Sequence, residues 1–213
     1  PVAQNIPGQE MPMFRDLWEN LKDAQPRLPR GGRTVSGALD PLNLPTLLQT
    51  ALQALYGHYE KTFNRWVDSG IKVPPCFIIV CQNTAISKLV YDFISGFQRM
   101  PNEDGTTPPP FLGALPLFRN YDESTGNPLP RPNTLLIDSE QLEAGDALDE
   151  NFRGMAADEI ERFRREIVER AQDVRAGDTI TDQELLREVM NTVGKPGQLG
   201  GSIRCVVSVS MLT

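Results

Sequence analysis

The sequence predicts an α/β protein built on an open parallel sheet with flanking helices. Three observations lead there. Short apolar runs recur at Phe77–Cys81, Thr134–Ile137 and 203–209; amphipathic helical patterns alternate with them; and each run passes into small polar residues, Gln82, Asn83 and Thr84, then Asp138 and Ser139, then 208–213. Continuous apolar runs suit parallel strands covered on both faces, and open α/β sheets place polar groups at the carboxyl ends of their strands.

The elements follow in chain order. Residues 1–45 are rich in Pro, Gly and Arg ("AQPRLPRGGRTVSGALDPLNLP"), a composition that favours irregular backbone. They read as a connecting arm holding one short helix over 13–22, carried by Phe14, Leu17, Trp18 and Leu21. Pro45 suits a first helical turn, and Leu48, Leu52, Leu55, Tyr59, Thr62 and Trp66 recur at helical spacing, so a long amphipathic helix is expected over 46–70. The remainder, 71–213, is the α/β unit. Its first strand, Phe77–Cys81, is expected in the sheet centre. Gln82 and Asn83 turn the chain, Thr84 is the expected N-cap, and Ile86, Leu89, Val90, Phe93 and Ile94 form a helical face ending at Gly96.

Residues 100–133 are dense in Pro and Gly and read as an insertion, a surface loop in which "STGN" turns a short hairpin. After the strand Thr134–Ile137, a helix is expected over 158–174, with Ile160, Phe163, Ile167, Ala171 and Val174 on one side. Of its arginines, Arg162, Arg164, Arg165 and Arg170, two (Arg165 and Arg170) stand four residues after Glu161 and Glu166, the spacing of surface ion pairs rather than of a nucleic-acid patch. Thr181 and Glu184 match a capping box, and Leu185, Leu186, Val189, Met190 and Val193 give the helix it opens an apolar stripe.

Composition narrows the function classes. The chain has 213 residues, 39% of them hydrophobic, enough for one ordinary domain with a core. No apolar run approaches the roughly 18 residues of a membrane span. A net charge of −7 supplies none of the general attraction that draws proteins to nucleic acid. Cys76, Cys81 and Cys205 offer neither an even count nor a C-x-x-C spacing, which points to buried thiols in a reducing, cytoplasmic setting. His58 has no partner at a catalytic or metal-ligating offset and reads as structural or solvent-facing. In "VGKPGQLGG", Lys195 is followed by Pro196 where a phosphate loop needs Ser or Thr, so a Walker A loop is excluded. The apolar ending "VVSVSMLT" and the opening at Pro1 lead us to expect a piece of a longer protein.

Several segments in order carry a resemblance. "PPCFIIVCQNTAISKLVYDFISGF" resembles the strand and helix that open the second RecA-like domain of superfamily 2 helicases, "TLLIDS" a later strand, and "IRCVVSVSMLT" the strand before their fifth motif. "LDPLNLPTLLQTALQALYGHYEKTF" and "LLREVMNTVGKPGQLGGSIRCVVSVSMLT" are most similar to the helicase subunit of type III restriction enzymes, and the likeness covers the chain from about Leu39 onward. The resemblance implies a partial second RecA-like domain of an ATP-dependent DNA helicase or translocase and restriction endonuclease. It implies DNA contacts by Gln82, Asn83, Thr84, Ser139, Ser210 and Thr213. ATP and Mg would be bound by the parent protein and not by this piece, with a first RecA-like domain of the same chain and a methyltransferase subunit as partners. The 100–133 insertion departs from the compact helicase pattern. Two other classes stand beside this one: a non-catalytic α/β interaction domain, in keeping with the acidic charge and Pro-rich arm, and a Rossmann-like small-molecule module, against which no G-x-G-x-x-G follows any strand.

Overall fold

The computed structural model describes residues 40–102, 104–137, 153, 156–177 and 180–209. The arm's helix over 13–22, Asp138 and Ser139, and residues 210–213 lie outside them. Four helices and three strands make up the described fold: α1 Thr46–Asp68, β1 Phe77–Cys81, α2 Thr84–Ser95, β2 Thr134–Ile137, α3 Ala157–Ala171, α4 Asp182–Asn191 and β3 Cys205–Val209. The sheet is wholly parallel, in the order β1-β3-β2.

Strand alternation sorts the side chains into two cores. On one face Phe77, Ile79, Cys81, Leu136, Cys205 and Val207 pack under α1 and α2. On the other, Leu135, Ile137 and Val206 pack under α3 and α4 together with Leu199 and Ile203. Helices therefore flank both faces, as parallel strands require.

One expectation fails at β1. The sequence run suggests a central strand, yet β3 occupies the centre and β1 an edge, with Ile78 and Val80 66% and 63% exposed. An apolar run marks a strand without saying which neighbours cover it, and here α3 and α4 cover only the β2 and β3 side. β3 also starts two residues later than expected, although Ile203 is still buried. Helix α3 stops at Ala171, where Gln172 turns left-handed at φ 52.

The segment 100–133 differs from a surface loop in its described part. A 3-10 turn, Pro116–Phe118, drives Phe118 to full burial among Tyr56, Tyr59 and Phe77, with ring centroids 4.9 to 5.4 Å away. Tyr56 receives the Leu117 N–H at its hydroxyl and donates to Glu60. The segment also finishes α2: Ala114, Leu115 and Asn120 donate their N–H groups to the carbonyls of Phe93, Ile94 and Ser95 at the helix end. Two glycines allow that approach. A Cβ on Gly96 would stand 2.5 Å from the Phe111 carbonyl oxygen, and one on Gly113 2.5 Å from that of Ile94. The expected turn at "STGN" is present, bridged by Tyr121 and Pro128.

Candidate functional site at the carboxyl edge of the sheet

Parallel pairing brings the strand ends to a common edge. Cys81 stands level with Val209, and Ile137 with Ser208. The described part of that edge is the β1–α2 turn, Gln82, Asn83 and Thr84. Ser139, Ser210 and Thr213 lie outside the described residues, so the structure brings together three of the six residues singled out in the sequence.

Within the turn the roles shift by one place. Asn83, not Thr84, is the N-cap: its backbone is extended and its Oδ1 accepts the Ile86 N–H at 2.9 Å. Asn and Thr both cap well, and the extended residue takes the position. Thr84 is the first helical residue, half-buried, and its carbonyl accepts the Ser87 hydroxyl at 2.8 Å. Gln82 is exposed, and its side chain makes no hydrogen bond to the described residues. The Ser87 N–H is taken by the Asn83 carbonyl. That leaves the N–H groups of Thr84 and Ala85 as the first-turn donors with no partner among the described residues.

The electrostatics of this turn favour an anion. The first turn of α2 carries no acid, and the sequence has no charged residue from Val73 to Ser87. Lys88, the next charge, pairs with Asp92. An anion here would meet the positive end of a twelve-residue helix and open amides, with no nearby carboxylate in sequence to repel it. The adjacent Cys81 offers no nucleophile: burial pushes its thiol up to about 11, and a thiol needs to ionise to attack.

The densest polar network lies at the opposite, amino edge. Asn120 donates through Nδ2 to the Tyr91 hydroxyl (3.0 Å) and the Thr134 carbonyl (2.9 Å), and accepts at Oδ1 from the N–H groups of Asn133 (2.8 Å) and Thr134 (2.9 Å). All four of its hydrogen-bonding capacities are filled. Sequence reasoning missed it, because its partners lie 13, 14 and 29 residues away and no spacing announces them. With every group satisfied, its role is to fasten the 100–133 segment to β2.

The remaining sequence candidates resolve simply. His58 is exposed on α1. Lys195 donates to the Asn191 carbonyl at 2.8 Å, closing the end of α4 rather than holding a phosphate. Glu166 pairs with Arg170 as expected, whereas Glu161 pairs with Arg164 at 2.6 Å and not with Arg165. Cys81 and Cys205 are buried and Cys76 half-buried. Among the described residues no group of three or more His, Cys, Asp or Glu is placed to hold a metal, and no helix is long and apolar enough to cross a membrane.

No protein-family model, curated protein or solved structure matches this chain.

Proposed function

We propose that the chain is a piece of an ATP-dependent DNA helicase or translocase of the kind that serves as the restriction subunit of type III restriction enzymes, and that it supplies part of the second RecA-like domain. The observation that carries this reading is the unit 77–95, a parallel strand, a charge-free polar turn and a helix whose first turn points open amides at the carboxyl edge. Proteins that track a nucleic-acid backbone hold its phosphates with such amides and neutral polar side chains. Gln82, Thr84 and the amides of Thr84 and Ala85 are the contacts; Asn83 acts through its cap by holding the turn. Ser139, Ser210 and Thr213 are assigned the same role from their positions in sequence. ATP and Mg belong to a cleft against a first RecA-like domain, and a methyltransferase subunit is the partner that this class of enzyme implies.

The test is a titration of the chain with single-stranded oligonucleotide at low salt, followed through backbone amide resonances. Shifts should concentrate on Gln82 to Ser87 and fade as salt rises, because phosphate contacts are salt-dependent. The double variant Gln82→Ala, Thr84→Ala should lose them while keeping its fold. Shifts confined to other surfaces, or none, would sink the reading. In parallel, the chain with ATP, Mg and duplex DNA should release phosphate no faster than buffer, since a RecA-type motor needs both halves of its cleft. A second reading, a non-catalytic interaction domain, is favoured by the exposed Ile78 and Val80 on the edge strand β1.

A further inference from the structure

The outer edge of β1 has the form of an unfinished sheet. Phe77 donates its N–H to the Arg204 carbonyl of the strand region beside it at 2.8 Å. In a parallel ladder backbone direction alternates, so Phe77, Ile79 and Cys81 face β3, while the N–H and C=O groups of Ile78 and Val80 point outward. None of the described residues bonds those outward groups. The devices that usually blunt an edge are missing too: 77–81 holds no charge, no Pro and no bulge in its register with β3.

We propose that β1 pairs with itself: two copies of this chain join antiparallel through Phe77–Cys81, about a two-fold axis at Ile79, into a six-stranded sheet. The inference does not rest on the helicase reading, although both draw on residues 82–84, so nucleic acid bound there would compete with the pairing. The register follows from the outward groups. Centring on Ile79 sets Ile78 opposite Val80 of the second copy and Val80 opposite its Ile78. Both are then hydrogen-bonded pairs of an antiparallel ladder, each exchanging an N–H and a C=O. Their side chains lie on one exposed face, so two β-branched pairs meet there, a favourable cross-strand combination. The match is self-complementary, as a two-fold interface requires.

The self-complementary register selects a second copy as the occupant, and the local charge permits it. Pairing about Ile79 lays 74–76 against 82–84 of the other copy, and from Val73 to Ser87 neither strand nor flank carries a charge. The contact therefore holds no like-charge pair, although each chain bears −7. That net repulsion acts at longer range and is screened by salt within roughly 10 Å. Two side chains and one short strand from each copy fall below the roughly 1,200 Å² of a stable interface, so the dimer should be a weak one that forms only at high protein concentration.

Sedimentation equilibrium of the 213-residue chain from about 10 μM to about 1 mM tests this. The mass should rise from 23.7 kDa toward twice that value, and should rise further when salt is raised. Val80→Lys places two like charges in the seam and should hold the chain monomeric. Ile78→Pro should do the same while leaving the ladder to β3 intact, because the N–H it deletes points outward. Thermal melting checks that both variants stay folded. Hydrogen exchange locates the contact: the amides of Ile78 and Val80 should be protected only at high concentration, and those of Ile79 and Cys81 at every concentration. A monomer throughout, association unchanged in both variants, or concentration-independent protection of Ile78 and Val80, as a segment of the same chain lying on the edge would give, overturns the proposal.

Discussion

β1 and β2 are both edge strands of a three-stranded sheet, both are short apolar runs, and both pair in parallel with β3, yet they end in opposite conditions. Every residue of β2 is buried, whereas β1 exposes Ile78 and Val80. The difference arises outside the strands. At β2 the outward amide and carbonyl of Thr134 are both bonded by the Asn120 side chain, and the Thr134 hydroxyl donates to the Phe118 carbonyl at 2.7 Å. At β1 no described residue does this. At Thr134 the β2 edge is thus closed by the connection that runs beside it, and a side-chain amide is enough to imitate one residue of a missing strand.

The largest effect should come from truncating one apolar residue at each of the two edges. Leu136 is 5% exposed and packs beneath α2, while Ile78 is 66% exposed. Leu136→Ala should cost about 2 to 5 kcal/mol through lost burial and the cavity left behind. Ile78→Ala should cost less than about 1 kcal/mol, as surface substitutions do. Urea unfolding at low protein concentration, with m-values unchanged, would measure both; equal losses would mean that something covers β1 as thoroughly as β2.

Next in size is the seal itself. Asn120→Ala leaves the amide and carbonyl of Thr134 and the N–H of Asn133 without their side-chain partner, and each orphaned buried group carries a penalty of about 1 to 3 kcal/mol. A loss of roughly 2 to 3 kcal/mol is expected, since water reaches part of the site. Asn120→Asp keeps the acceptors but loses both donors and faces the Thr134 carbonyl with a negative charge, so it should be worse. Either variant also opens a second bare edge. Association should then pass beyond the dimer to higher species, which light scattering would detect.

What was legible in the sequence divides along the same line. Local patterns spoke clearly: the strand at 77–81, the helix after it, the capping box in which Thr181 and Glu184 bond each other's backbone N–H, and the parallel α/β class all follow from periodicity and capping within a few residues. The carboxyl edge was legible only as far as Gln82, Asn83 and Thr84, and there the cap fell to Asn83, because two adjacent residues are equally able to accept the helix amide. Strand order was not legible. The place of β1 at the edge depends on contacts between segments more than a hundred residues apart, and an apolar run looks the same at the centre or the rim. Nor did the Pro-rich composition of 100–133 show that Phe118 would complete the aromatic core, since a single 3-10 turn decides that.

The smallest predicted effect concerns charge beside the sealed edge. Arg131, three residues before β2, donates to Glu159 on α3, and this hydrogen bond holds the Glu159 carboxyl below its ordinary range. A carboxylate depressed in the folded state adds stability above its unfolded pKa of about 4.3, and that stability is lost as pH falls through the lower folded value. Asp92 acts with the opposite sign: burial raises its pKa against the pull of Lys88, so its cost is present at neutral pH and is relieved on acidification. Glu159→Gln should therefore lower stability by about 0.5 to 1 kcal/mol at pH 7, the scale of a partly exposed ion pair, and the gap from the parent chain should close toward pH ~3. Thermal melts of both proteins across that range measure the gap directly. At the open edge the result should differ, because residues 73–87 contain no titratable carboxyl or amine and Cys81 stays protonated. Ile78→Ala should shift the melting temperature by the same small amount at every pH. If the Glu159→Gln gap persisted at pH ~3, the ion pair would not be its source, and closure of the β2 side would rest on the Asn120 amide and the buried Phe118 alone.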